Sequence, residues 1–232
     1  MSAARLYVTL GSHPCRTAML MLEHKGIPYR TVTLRTGAQR MLRFAGFPGG
    51  TVPAMELDDG RRIQTSRAIA RALEELEPEP PLFPADPDER RAVEEAERWA
   101  DEVFQMAARR IALAASLHGR DGMVNRGGSG PLGPILFRRD DTRHLGTRLI
   151  GRFVFNVNPR TERELLSRLP AQLDRIDAWI DAGVLNGDRL NAADYAVATS
   201  VALVLYRRDL RAGIAARPAG ALVERVLPER RG

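Results

Sequence analysis

Between residues 77 and 88 the chain reads EPEPPLFPADPD, and its five prolines exclude both a helix interior and a central strand. Such a segment runs extended and semi-rigid. It separates two stretches of different periodicity. Before it, β-type alternation and helical spacing take turns; after it, every clearly periodic segment is helical. The expected organisation is a first domain over residues 1–77, a linker over 78–88 and a second domain over 89–232. The fold class is an α/β unit followed by an all-α one.

In the first domain, "ARLYVTL" (4–10) reads as a buried strand with Leu6, Val8 and Leu10 in alternation. "GSHPC" breaks it. A helix from Pro14 to Lys25 follows, with Pro suited to its first turn and Gly26 to its stop. "YRTVTL" is the second strand, and strand–helix–strand within about 30 residues marks a parallel βαβ unit. A short helix is expected near Gln39–Phe44. "TVPAMEL" is a third strand, "DDG" a hairpin turn and "RRIQT" the returning strand. Ser66–Leu76 is a helix with Ala68, Ile69, Ala72, Leu73 and Leu76 at helical spacing. This order is that of a thioredoxin-like domain.

Beyond the linker, Asp88–Ser116 predicts one long helix with Val93, Ala96, Trp99, Ala100, Val103, Ala107 and Ile111 on one face. Residues 119–134 are Gly-rich. Residues 135–158 are ambiguous, with strand-like character in "RFVFNVNP". Thr161–Ala182 is amphipathic, and Pro170 is expected to kink or divide it. Asn191–Tyr206 is strongly apolar, and a short helix is expected after Pro218.

Composition narrows the function. Of 232 residues, 44% are apolar, enough for a core, but no run reaches the 18 or so residues of a membrane span. Residues 1–30 lack the pattern of an export signal. Cys15 is the single cysteine, so no internal disulfide or all-cysteine metal site exists, no metal is expected, and a reducing cytoplasm is the expected setting. Net charge is +6, carried almost wholly by Arg, with Lys25 the one lysine. Acidic residues interleave with the basic ones and no nucleic-acid motif is present, so neither nucleic acid nor membrane is an expected partner.

Three segments can carry chemistry. Ser12 precedes a helix N-terminus, where free N–H groups and the positive dipole end favour an anion such as a thiolate. Its hydroxyl either donates to a bound thiolate or merely caps the helix. Cys15 lacks a second cysteine three residues earlier, where Ser12 stands, and reads as a packed thiol. His13 is either a proton shuttle or an ordinary loop histidine. In "TVPAM", Pro53 is expected to be cis in a thioredoxin-like domain, leaving the Val52 backbone to pair with an extended ligand. In "QTSRAI", Thr65 or Ser66 caps a helix; alternatively Ser66 and the first N–H groups bind a carboxylate, with Arg67 adding a bidentate fork.

These segments, in this order, resemble the cytosolic glutathione S-transferases. "GSHPCRTAMLMLEHKGI" is similar to the delta and theta-like classes, "VPA" and "SRAI" match their counterparts, and "LNGDRLNAADYAVA" resembles the family's "GDRLTLAD". In the last, Asn191 and Asp194 stand as a capping box, with Leu190 and Tyr195 as a hydrophobic staple. The likeness covers most of residues 4–116 and 160–228, not 119–158.

The resemblance implies a catalytic Ser12 stabilising the glutathione thiolate. It implies glutathione bound by Val52, Pro53, Thr65, Ser66 and Arg67, and a small apolar electrophile near His13, Phe104, Ala108 and Arg109. It also implies a homodimer. Two positions depart from the family: an acid is replaced by Thr65, and a polar residue two places before Val52 by Gly50. The leading expectation is glutathione transfer to an electrophile. The alternative is a non-catalytic binding protein of the same fold; a thiol-disulfide reductase is opposed by Ser12 in the first redox position.

Overall fold

A computed structural model describes residues 4–35, 37–115, 117–118 and 151–228. The first domain runs β1 (Ala4–Thr9), α1 (His13–His24), β2 (Tyr29–Leu34), a 3-10 turn (Ala38–Arg43), β3 (Ala54–Glu56), β4 (Arg62–Gln64) and α2 (Ser66–Leu76). The sheet order is β2-β1-β3-β4. β1 is parallel to β2, while β1–β3 and β3–β4 are antiparallel, with Tyr7 opposite Ala54 and Ala54 opposite Gln64. This is the thioredoxin-like arrangement read from the sequence. Leu6, Met21, Met55, Ile69 and Leu73 are fully enclosed and form its core.

Local chemistry explains most element ends. Pro14 sits in the first turn of α1, and Gly26, at φ +62°, takes the left-handed turn that follows. Alternation in β1 stops before Leu10, which is 48% exposed because the chain turns at Gly11. On α2, Ala68 and Leu76 lie outside the buried stripe expected of them, in the first and last turns, where the helix overhangs its packing partners.

The linker is extended, but its own Leu82 and Phe83 are buried. Asp86 caps α3 (Pro87–Trp99) by accepting from Asp88 N and Glu89 N. The long helix expected to 116 is not uniform. Ala100–Phe104 forms a π turn before α4 (Gln105–Ala114). A π turn inserts one extra residue and shifts the register of every later side chain. Val103, expected inside, is therefore 47% exposed, and Phe104 is buried in its place.

The remaining described helices are α5 (Pro159–Asp181), α6 (Ala192–Val204), α7 (Arg208–Ala215) and α8 (Pro218–Val226). Residues 151–154 are helical, so the strand-like character of "RFVFNVNP" does not hold for that part. The expected loop at 119–134 lies outside the described residues. α5 continues through Pro170, which lies exposed, so water reaches the carbonyl that the missing N–H leaves free. α6 is the buried central helix against which α1, α3, α4 and α8 pack.

Buried polar contacts tie the first domain to α6 and to the start of the linker. Thr17 Oγ1 on α1 meets Thr199 Oγ1 on α6 at 2.7 Å. The Pro81 carbonyl accepts from His24 Nε2 at 3.3 Å, so the Tyr195 hydroxyl donates to Nδ1 at 3.0 Å. Lys25, whose side chain is fully enclosed, donates to Glu74 Oε2 and the Glu77 carbonyl at 2.6 Å each, and to the Pro78 carbonyl at 3.1 Å.

The capping box at α6 forms as the sequence implies. Asn191 Oδ1 accepts from Ala193 N and Asp194 N, and Asp194 accepts from Asn191 N at 2.8 Å and Asn186 N at 2.7 Å. Replacing Asn191 with Ala is expected to cost about 0.5–2 kcal/mol, read from urea unfolding; an unchanged midpoint would show that the cap carries no weight. Burial pushes the Asp194 carboxyl up from 3.8 to about 6. A folded value above the unfolded one gives a contribution fully present below the unfolded value and lost as pH rises through the folded one. Asp194→Asn should therefore be less stable throughout but show a flatter decline between about pH 4 and 6.

Candidate active site at the domain interface

The C-terminal end of β1 and the N-terminal end of β3 lie side by side because the two strands are antiparallel. This brings the start of α1 beside Val52–Pro53. The Val52–Pro53 peptide is cis, as expected; Glu79–Pro80 is also cis. The Pro53 carbonyl accepts from Thr65 N at 3.0 Å, which ties the start of α2 to the same place. All three motif segments thus converge at one end of the sheet.

Val52 is half-buried, and its peptide N–H and C=O form no hydrogen bond among the described residues. Backbone groups left open between two ordered segments are suited to an extended ligand. The loop before Val52 is held by a residue the sequence did not single out. Gln64 Nε2 donates to the Thr51 carbonyl at 2.6 Å and the Gly49 carbonyl at 3.1 Å. Gly50 also has a structural reason. A Cβ there would meet the Arg40 backbone at 2.9 Å, so the polar residue of the family pattern does not fit without moving the 3-10 turn.

Ser12 is the N-cap residue of α1, but its side chain makes no cap bond. It lies against the Cys15 thiol, where it favours the thiolate. Burial outweighs this effect and pushes the Cys15 thiol up; the residue is 3% exposed. Thr65, not Ser66, caps α2, accepting from Ala68 N at 3.3 Å. It does so at φ +80°, ψ +148°, a region that β-branched residues avoid. Strain of this kind, of order 1–3 kcal/mol, gathers where ligands are held.

Ser66 is buried and lines a small interdomain cavity of about 10 Å³ with His13, Asp101 and Gln105. That volume is about one water's worth. Arg67 is turned toward the second domain, donating to Glu102 Oε1 at 3.0 Å, with Glu97 4.0 Å away. Asp101 accepts from Gln105 Nε2 at 2.8 Å, and burial raises its carboxyl.

The four residues assigned by resemblance to an electrophile pocket divide into two groups. Phe104 and Ala108 are fully buried in the helical core, with Phe104 stacked on Trp99 at 5.4 Å. They do not border an open pocket, because the π turn carries that face inward. His13 lines the interdomain cavity, and Arg109 lies one turn beyond Gln105, which lines it too. His13 is 4% exposed, and neither ring nitrogen has a well-formed hydrogen bond. Burial first, and Arg109 second, hold it well below the usual imidazole range and so neutral. Asp101 and Gln105 were not legible from residue type: each is ordinary in sequence and distinguished only by position.

Fold and convergent segments together define a two-domain protein of glutathione-transferase architecture. Residues 11–76 match the family described as glutathione S-transferase, N-terminal domain. Over 87 residues the chain is 37% identical to the chloroplastic glutathione S-transferase DHAR3 of Arabidopsis thaliana; the match covers 36% of this chain and spans about a third (32%) of that relative. Similar solved structures include a glutathione S-transferase from Xanthobacter autotrophicus (23% identity, TM-score 0.65, covering 97% of this chain and 92% of that one). Another is from Rhodospirillum rubrum (22%, 0.64, 97% and 91%). A third, from Methylobacterium radiotolerans, is in complex with glutathione sulfonate (20%, 0.64, 98% and 92%). At these identities the structural likeness carries the fold. Residues 11–76 thus carry the family's N-terminal domain signature, and the chain as a whole shares the fold of the solved glutathione S-transferases.

Proposed function

We propose that this protein binds glutathione and transfers its thiolate to a small electrophile, in the manner of the delta and theta-like transferases. The observation that carries the reading is the open Val52 peptide beside Ser12 at a helix N-terminus. A cysteinyl backbone paired with Val52 would bring its sulfur toward Ser12, whose hydroxyl is not used as a cap. The N–H groups opening α2, with Ser66, would take the γ-glutamyl carboxylate. Arg67 would have to leave Glu102 or share it.

The protein would act as a homodimer in a reducing cytoplasm. Phe44, 90% exposed, and Met41 give the first domain an apolar patch suited to a second copy. No described helix is long and apolar enough to cross a membrane.

A second reading, a non-catalytic binding protein, is favoured by the engagement of Arg67 with Glu102 and by Thr65 in place of an acid. Calorimetric titration with glutathione separates the two. Weak binding is expected of the parent. Thr65→Glu should tighten it by roughly 1–3 kcal/mol through a charge-assisted bond to the ligand's ammonium group. No heat in the parent and no gain in a folded variant would remove glutathione as the ligand.

A further inference from the structure

Where the first turns of α1 and α2 meet the π turn, three enclosed polar atoms have no partner among the described residues. Two are the ring nitrogens of His13, a residue that is 4% exposed. The third is Arg67 Nε. The bond from Arg67 to Glu102 is made by Nη1, and the Glu97 carboxylate lies 4.0 Å from Nε, beyond bonding distance. His13 and Arg67 line the same cavity of about 10 Å³, together with Ser66, Asp101, Gln105 and Ser200.

A buried polar atom left without a bond is costly, and the lining selects what can answer these three. Arg67 Nε carries an N–H, so the occupant must accept. The Asp101 carboxyl takes one bond from Gln105 Nε2 and has further lone pairs, so the occupant must also donate. His13, held neutral by burial, has one nitrogen of each kind. The Gln105 carbonyl favours an N–H on one of them without forming a full bond, which leaves the other an acceptor. A metal cation or an ammonium cannot accept an N–H bond, and a halide cannot donate one. Water does both, and a polar cavity of this size admits one molecule.

We propose that this cavity is a site for one ordered water that bridges His13 to Arg67 and Asp101. His13 is then a positioning residue. Through the water it holds the Arg67 side chain beside Ser66, and it ties the first turn of α1, next to Ser12, to α2 and to the helical domain. Its effect on ligand binding rests on the proposed transferase reading; the water site itself requires no glutathione.

Water-selective NMR on protein labelled at histidine and arginine side chains tests the site. In the parent, the His13 ring and the Arg67 Nε–H should each show a cross-peak to water with the sign of a long-lived bound molecule. His13→Phe keeps a ring without nitrogens. In it the Arg67 Nε–H should lose that cross-peak and exchange with solvent roughly tenfold faster, the worth of one hydrogen bond. His13→Gln restores a donor and an acceptor and should recover most of the protection. Ser200→Val fills the cavity from α6 and should displace the water with the same gain in exchange, so the test does not depend on one variant folding. No bound-water cross-peak in the parent would overturn the site. Unchanged Arg67 exchange in a folded His13→Phe would overturn the positioning role. A parallel calorimetric titration with glutathione keeps the two ideas apart. Bound water without glutathione binding would leave the site standing and remove the transferase reading; glutathione binding without bound water would do the opposite.

Discussion

Replacing Ser12 with Ala is expected to slow glutathione conjugation to a general electrophile about 10- to 150-fold. The physical basis is a single bond. A hydroxyl donating to a thiolate is worth about 1.5–3 kcal/mol, and each 1.36 kcal/mol is about tenfold in rate. The same loss should move the acidic limb of the pH–rate profile upward, because the bound thiol would ionise less readily. Ser12 is a clean target since its side chain makes no cap bond, so its removal should leave α1 intact. Cys15→Ser is the comparison. That thiol is enclosed and pushed up by burial, so conjugation should change little. Were Cys15→Ser to abolish turnover while Ser12→Ala did not, the chemistry would be cysteine-based. Were the parent inactive with every electrophile tried, the binding-protein reading would take its place.

Lys25→Met is expected to destabilise the protein by about 3 kcal/mol in urea unfolding, the lower end for a broken buried ion pair. The ammonium group reaches Glu74 and the carbonyls of Glu77 and Pro78, and the Lys25 side chain has no exposure. Removing it leaves one carboxylate and two carbonyls facing an apolar group. The lower end applies because Glu74 retains some solvent access, at 19% side-chain exposure, and also accepts from Leu82 N at 2.9 Å. The chain junction between the domains should loosen with it, seen as faster proteolysis within residues 77–86. An unchanged midpoint together with unchanged proteolysis would mean that the ammonium does no more here than a methyl group.

Much of this protein is written in short-range pattern. β2 and α2 occupy the residues that alternation and helical spacing assign them, Tyr29–Leu34 and Ser66–Leu76. The capping box at α6 forms from Asn191 and Asp194 three residues apart. Pro14 opens α1 and Gly26 takes the left-handed turn after it, as their residue types require. These features are local: a hydrogen bond or a steric limit within a few residues fixes each one, so the order of residues suffices to find them.

The candidate site divides along the same line. Ser12, Val52, Pro53 and Ser66 mark, by residue type, the end of the thioredoxin-like sheet proposed above to bind a thiol. Which groups there are free is not a local property. Val52 is open because no strand among the described residues pairs with it, and Arg67 is engaged because α3 and the π turn bring Glu97 and Glu102 to it. Phe104 and Ala108 turn inward because one inserted residue in the helix shifts all that follow. The sequence by itself determined the fold class and most of the elements. Only the tertiary structure decided that Lys25 would be enclosed, that Thr65 would be held at positive φ, and that His13 would be buried with both ring nitrogens unpartnered among the described residues. Those outcomes depend on packing between segments far apart in the chain, as with Lys25 and Glu74, 49 residues apart, and on burial, which changes what a charge or a hydrogen bond is worth.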